Sequence, residues 1–165
     1  MNWSPDFIRG VLQGSYNLHQ KKKRMQPDVD IHCNDLLVDR HGVTTGKFSR
    51  RLPKKDIGMW VASDKLAVME EIIDSKSRSR HGGNKDCELT LYVGDSTTDL
   101  ACLVNADLGI VMGKHGGLQG TCDRAGLEIQ DGFAAPVGEK KSKKLYRVQD
   151  FVELKTFLEG ISGSC

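Results

Sequence analysis

No stretch of this chain approaches the roughly 20 consecutive apolar residues that a membrane span requires, and no apolar signal core opens it. Neither a spanning helix nor a secretory leader is expected. The cysteines lack a pattern: Cys33, Cys87, Cys102, Cys122 and Cys165 are odd in number, scattered, and without a Cys-x-x-Cys pair. That excludes a disulfide framework and a cysteine zinc site, and implies free thiols in a reducing compartment, with cytoplasm the default. Charge of one sign is missing too. The 24 lysines and arginines meet 22 acids, a net +2 that supplies no general field for nucleic acid or an anionic membrane. The local basic runs Lys21–Arg24 and Lys140–Lys144 read as solvated surface.

What is present describes an ordinary globular chain. The 165 residues, 38% hydrophobic, fit a single domain over 1–165 with enough apolar side chains to bury a core. Ser4-Pro5-Asp6 is a helix start: a hydroxyl cap, proline at the first helical position and an acid in the first turn. Phe7, Ile8, Val11 and Leu12 form its apolar face, with Gly14 as its expected stop. Alternation at Val29, Ile31 and Cys33 predicts a strand that continues or pairs with Leu36–Val38, and Gly42 and Gly46 punctuate a hairpin excursion. A second helix is predicted from Lys65 to about Asp74, capped by Ser63 or Asp64. Residues 75–86 then read as an exposed loop without periodicity.

The carboxyl-terminal half alternates strand and helix. Leu89, Leu91 and Val93 predict a strand, Leu100–Asn105 a short amphipathic helix, and Leu108–Met112 a second strand. Short strand patterns follow at Leu127–Gln130 and Leu145–Val148. Asp150-Phe-Val-Glu153 is a capping box before a last helix. The alternation gives an α/β class with a mainly parallel sheet.

The chemistry concentrates at Gly94-Asp95-Ser96-Thr97-Thr98-Asp99. Two carboxylates follow a strand end where Gly94 allows a sharp turn, an oxygen set suited to Mg²⁺. With Ala106, Asp107, Gly109, Ile110 and Gly113, this block resembles motif IV of the haloacid dehalogenase-like (HAD) hydrolase superfamily. Ser63-Asp64-Lys65-Leu66 resembles its third motif. The opening residues, with Asn2 and Ser4 near a strand end, and Asn34-Asp35 resemble its phosphoserine-phosphatase-like branch of fungi and plants. That group includes the phosphatase domain fused to thiaminase-like modules.

The resemblance implies a Rossmann-like parallel sheet with flanking helices and a Mg²⁺-dependent phosphomonoesterase acting on a small phosphorylated metabolite. It makes Lys65 the catalytic cation, Asp95 and Asp99 the metal carboxylates, and Gly94 and Ser96 part of the site loop. The nucleophilic Asp-x-Asp that the family carries on its central strand has no counterpart here. Asp28-Val-Asp30 has the spacing but opens the Val29–Cys33 strand instead of ending one. The resemblance therefore covers a HAD-like core lacking its amino-terminal central strand and cap. The expectation is a chain inactive by itself, or alternatively a non-catalytic remnant that binds a partner, a phosphate or a cation.

Overall fold

A computed structural model describes residues 4–19, 29–48, 59, 61–79, 89–132 and 144–162. Both Lys21–Arg24 and residues 140–143 lie outside them. The chain divides into two compact units, Met1–Trp60 and Val61–Cys165. Among the described residues no helix is long and apolar enough to cross a membrane.

In the first unit, helix α1 (Pro5–His19) begins as its sequence dictates, the Ser4 hydroxyl accepting the Phe7 amide at 3.2 Å. It does not stop at Gly14. A glycine ends a helix by turning left-handed, and Gly14 keeps a negative φ, so it only weakens the helix it sits in. The strand expected over Val29–Cys33 does not form; β1 is Leu36–Val38. Alternation identifies residues that can share a face, but a strand also needs backbone partners. Here a side chain provides the pairing. The buried Asn34 donates from Nδ2 to the Met59 carbonyl (2.9 Å) and accepts the Met59 amide at Oδ1 (2.6 Å). The hairpin is present: β1 pairs antiparallel with β2 (Thr44–Phe48). Its turn is held by Asp39 Oδ1, which accepts the amides of His41 and Val43 at 2.8 and 3.0 Å, while Gly42 supplies φ +77°.

The second unit is α/β. Helix α2 (Ala62–Ser79) precedes β3 (Leu91–Gly94), a 3-10 turn (Thr97–Asp99), α3 (Leu100–Asn105) and β4 (Leu108–Met112). Then come α4 (Gly116–Ala125), β5 (Glu128–Asp131), β6 (Lys144–Val148) and α5 (Phe151–Ser162). The sheet order is β3-β4-β6-β5 and every pairing is parallel. This is the Rossmann-like arrangement of a parallel sheet flanked by helices. Alternate residues serve opposite faces. Val111 and Leu145 pack with Leu103, Leu118 and Cys122 on one side. Ile110 and Val148 pack with Phe157 on the other. The inner strand β4 is apolar throughout because both its faces are covered.

Local chemistry sets the boundaries. Asp64 does not cap α2 directly. It is the third residue of the helix, and its Oδ2 reaches back to the Val61 amide at 3.1 Å. Residues 75–79 of the loop predicted for 75–86 are helical instead, since α2 runs on to Ser79; residues 80–86 lie outside the described ones. Periodicity reports which residues are buried, and the exposed Ser75 and Lys76 are helical without it. Asp150 Oδ1 accepts the amides of Val152 and Glu153, each at 2.9 Å, so the α5 start is as read from the sequence. Helix α4 has no counterpart in the sequence reading. Gly116, Gly117 and Gly120 argue against a helix, yet Leu118 and Cys122, one turn apart, are buried, and Gly126 ends it at φ +66°.

Candidate functional site

Two glycines allow the backbone approaches on which the site depends. A Cβ on Gly109 would lie 2.3 Å from the Leu103 carbonyl oxygen, so only glycine lets α3 return onto β4. A Cβ on Gly94 would lie 2.5 Å from Asp99 Cβ, so only glycine lets the Asp99 side chain fold back over the end of β3. Asp107 belongs to the same motif but works at the other end of the sheet. Its Oδ2 accepts the Thr90 amide at 2.9 Å, tying together the amino ends of β3 and β4.

Asp99 is the centre of the loop. Its side chain is 8% exposed, and five donors converge on its two oxygens. Oδ1 accepts the Lys65 ammonium at 2.7 Å and the Tyr92 hydroxyl at 3.0 Å. Oδ2 accepts the Ser96 hydroxyl at 2.6 Å, the Ser96 amide at 3.1 Å and the Asp95 amide at 3.3 Å. Burial pushes the Asp99 carboxyl up. The bonds from Lys65, Ser96 and Tyr92, with the lysine charge, outweigh it and hold the group below the usual carboxylate range. Burial, and then the Asp99 charge and the Cys102 thiol, raise the Tyr92 phenol far above its ordinary value, so it stays a neutral donor.

Asp95 is placed differently. Its side chain is 62% exposed, and among the described residues its carboxylate is approached by His115 Nε2, at 3.9 Å. His115 stands just before α4, after the turn that Gly113 makes at φ +69° beyond β4. The loop therefore has two carboxylates of opposite character. Asp99 is buried and saturated with donors; Asp95 is open to solvent.

The structure thus brings Lys65, Ser96 and Asp99 into one hydrogen-bonded cluster packed against Gly94 and sets the Asp95 carboxylate beside His115. Tyr92 and His115 were not anticipated from the sequence. The signal for Tyr92 is a hydroxyl inside an apolar strand; that for His115 is a polar residue just past a strand-ending glycine. Among the described residues no group of three or more His, Cys, Asp or Glu side chains forms a cage for a metal ion. A hard cation here would take Asp95 as its carboxylate, with water and substrate oxygens completing the shell, which is a set that Mg²⁺ accepts.

No family model matches the chain, and no solved structure matches it. Among curated proteins, it is similar to the mitochondrial Bifunctional TH2 protein of Arabidopsis thaliana, at 25% identity over 146 residues. The match covers 80% of this chain and 22% of the plant protein, so the chain spans less than a quarter of that relative.

Proposed function

We propose that the chain is of HAD-type phosphatase lineage, with a Mg²⁺-dependent phosphate site for a small phosphorylated metabolite. A cytoplasmic setting accords with the buried free thiols Cys102 and Cys122. The observation that carries this reading is the 2.7 Å pair between Lys65 and Asp99, 34 residues apart in sequence, beside an open Asp95 carboxylate. The motifs mark these residues in this order, with Asp99 read there as a metal carboxylate; its bond to Lys65 gives it instead the task of holding the ammonium. The similarity to a plant protein called bifunctional supports the same lineage.

The residues divide the work. Asp99 fixes the Lys65 ammonium, and with one N–H used on Oδ1, two remain to meet phosphoryl oxygens. Asp95 would hold Mg²⁺, which when bound neutralises charge on a phosphoryl group. Gly94 and Ser96 hold the loop shut around Asp99 and so set the distance between the ammonium and Asp95. Hydrolysis by the covalent route needs an attacking carboxylate; the Asp-x-Asp of the sequence is Asp28-Val-Asp30, and residues 29–33 beside it form no strand. The polypeptide alone is therefore a binding site without turnover. The same observation favours the second reading, a non-catalytic module that retains phosphate or cation binding.

The test is release of p-nitrophenol from p-nitrophenyl phosphate by the purified chain with Mg²⁺, with Asp95→Asn as control. We expect no turnover above the control. Multiple turnovers lost in Asp95→Asn would overturn the inactive reading and require another nucleophile.

A further inference from the structure

Tyr92 puts a hydroxyl where the strand itself asks only for an apolar ring. The rest of β3 is Leu91, Val93 and Gly94, and the ring packs against the core cluster of Leu103, Val111 and Leu118. Phenylalanine would fill the same volume. What tyrosine adds is one donor, and it is aimed at Asp99 Oδ1, the oxygen that also receives Lys65. We propose that Tyr92 is a positioning residue that holds the Lys65 ammonium in place through Asp99.

Oδ2 is fixed by three donors from the loop itself, all within residues 95–96. Oδ1 has no loop donor, and its two partners come from β3 and α2. With both present, its lone-pair directions are filled and the carboxylate cannot turn about Cβ–Cγ. Without the phenol, Oδ1 has the ammonium of a flexible four-carbon stem as its partner, and the pair can move together. The phenol suits this task because its ring is anchored against the core while its hydroxyl donates to Oδ1. The second donor on Oδ1 also prevents the ammonium from settling more deeply against the carboxylate. The remaining lysine N–H groups thus point away from it.

The inference rests on the reading of Lys65 as the phosphate-binding cation, and the experiment separates the two. The ¹⁵N–¹H signal of the Lys65 ammonium, assigned by its loss in Lys65→Met, is followed in the full chain for the wild type and Tyr92→Phe. We expect Tyr92→Phe to keep a dispersed amide spectrum while Lys65 ammonium hydrogens exchange about fivefold faster, the change expected for one lost neutral hydrogen bond. Replacing Tyr92 with p-aminophenylalanine, which keeps a donor at the ring's para position, should restore slow exchange. Equal exchange in wild type and Tyr92→Phe, or no rescue by the amino variant, overturns the role of Tyr92. If Tyr92→Phe does not fold, p-methylphenylalanine, an isostere without the donor, takes its place in the same comparison. Titration with inorganic phosphate is read on the same wild-type signal. A Lys65 resonance that ignores phosphate contradicts the proposed function, while the exchange comparison still decides the role of Tyr92.

Discussion

Asp99 shows how much one side chain organises. Its carboxylate joins the end of β3, the following turn and the first turn of α2, and the glycine five residues earlier exists to make room for it. Gly94→Ala would place a methyl 2.5 Å from Asp99 Cβ and 2.8 Å from its Cγ, atoms that five hydrogen bonds keep from yielding. We expect a loss of about 1–3 kcal/mol by urea unfolding; a variant as stable as the wild type would show that the loop is not packed this way. The protonation of Asp99 makes a second prediction. The folded carboxyl lies below its ordinary value of 3.8, so the unfolded chain binds that proton more readily. The stabilisation is complete above that ordinary value and is lost as pH falls through the folded one. Denaturation midpoints from about pH 6 to about pH 2 should therefore decline less steeply in Asp99→Asn than in the wild type. Parallel declines would assign the acid limb to other groups.

Among the elements, α4 tests how far tertiary packing overrides local preference. It buries Leu118 and Cys122 in the core although glycine occupies positions 116, 117 and 120. Gly120 has helical backbone angles, and a Cβ there would meet Arg124 at an ordinary 3.7 Å. Gly120→Ala should thus stabilise by about 0.5–1 kcal/mol. Gly126 lies at φ +66°, where Gly126→Ala should cost about 1–2 kcal/mol. Opposite signs in thermal unfolding are the expected result, and a destabilising Gly120→Ala would mean that α4 tolerates no side chain at that position. This helix also shows where sequence reading fails. Its buried apolar positions are only two, too few to outweigh three glycines, whereas β3 was legible from the alternation of Leu89, Leu91 and Val93 and β4 as a near-continuous apolar run. The reverse error occurred at Val29–Cys33, where the alternation is present and no strand pairs with it among the described residues. In the site, the bonds between Ser96 and Asp99 are local and follow from spacing. The Lys65 pair spans 34 residues; the order of motifs marks both residues, but reads Asp99 as a metal carboxylate and not as the partner of the ammonium. The contributions of Tyr92 and His115 depend on which groups the fold brings opposite them, and no spacing encodes that.

At the scale of the whole molecule, a parallel sheet carries the Lys65–Asp99 pair and the open Asp95 carboxylate, which under the proposed function take an anion and a cation. The cluster supplies one ammonium and one open carboxylate, and among the described residues no group of three or more His, Cys, Asp or Glu side chains could hold a metal ion. Phosphate and Mg²⁺ should therefore bind together better than either does separately, since the phosphate completes the metal shell and the metal offsets the phosphate charge. Linkage makes that measurable in the unmodified protein: a ligand at ten times its dissociation constant stabilises by about 1.4 kcal/mol. The most direct measurement is the melting temperature of the purified chain titrated with Mg²⁺ in the presence and absence of inorganic phosphate, alongside Asp95→Asn and Lys65→Met. The account predicts a rise that is larger with phosphate and is lost in both variants. A wild type that melts at the same temperature throughout, or variants that rise as the wild type does, would contradict it.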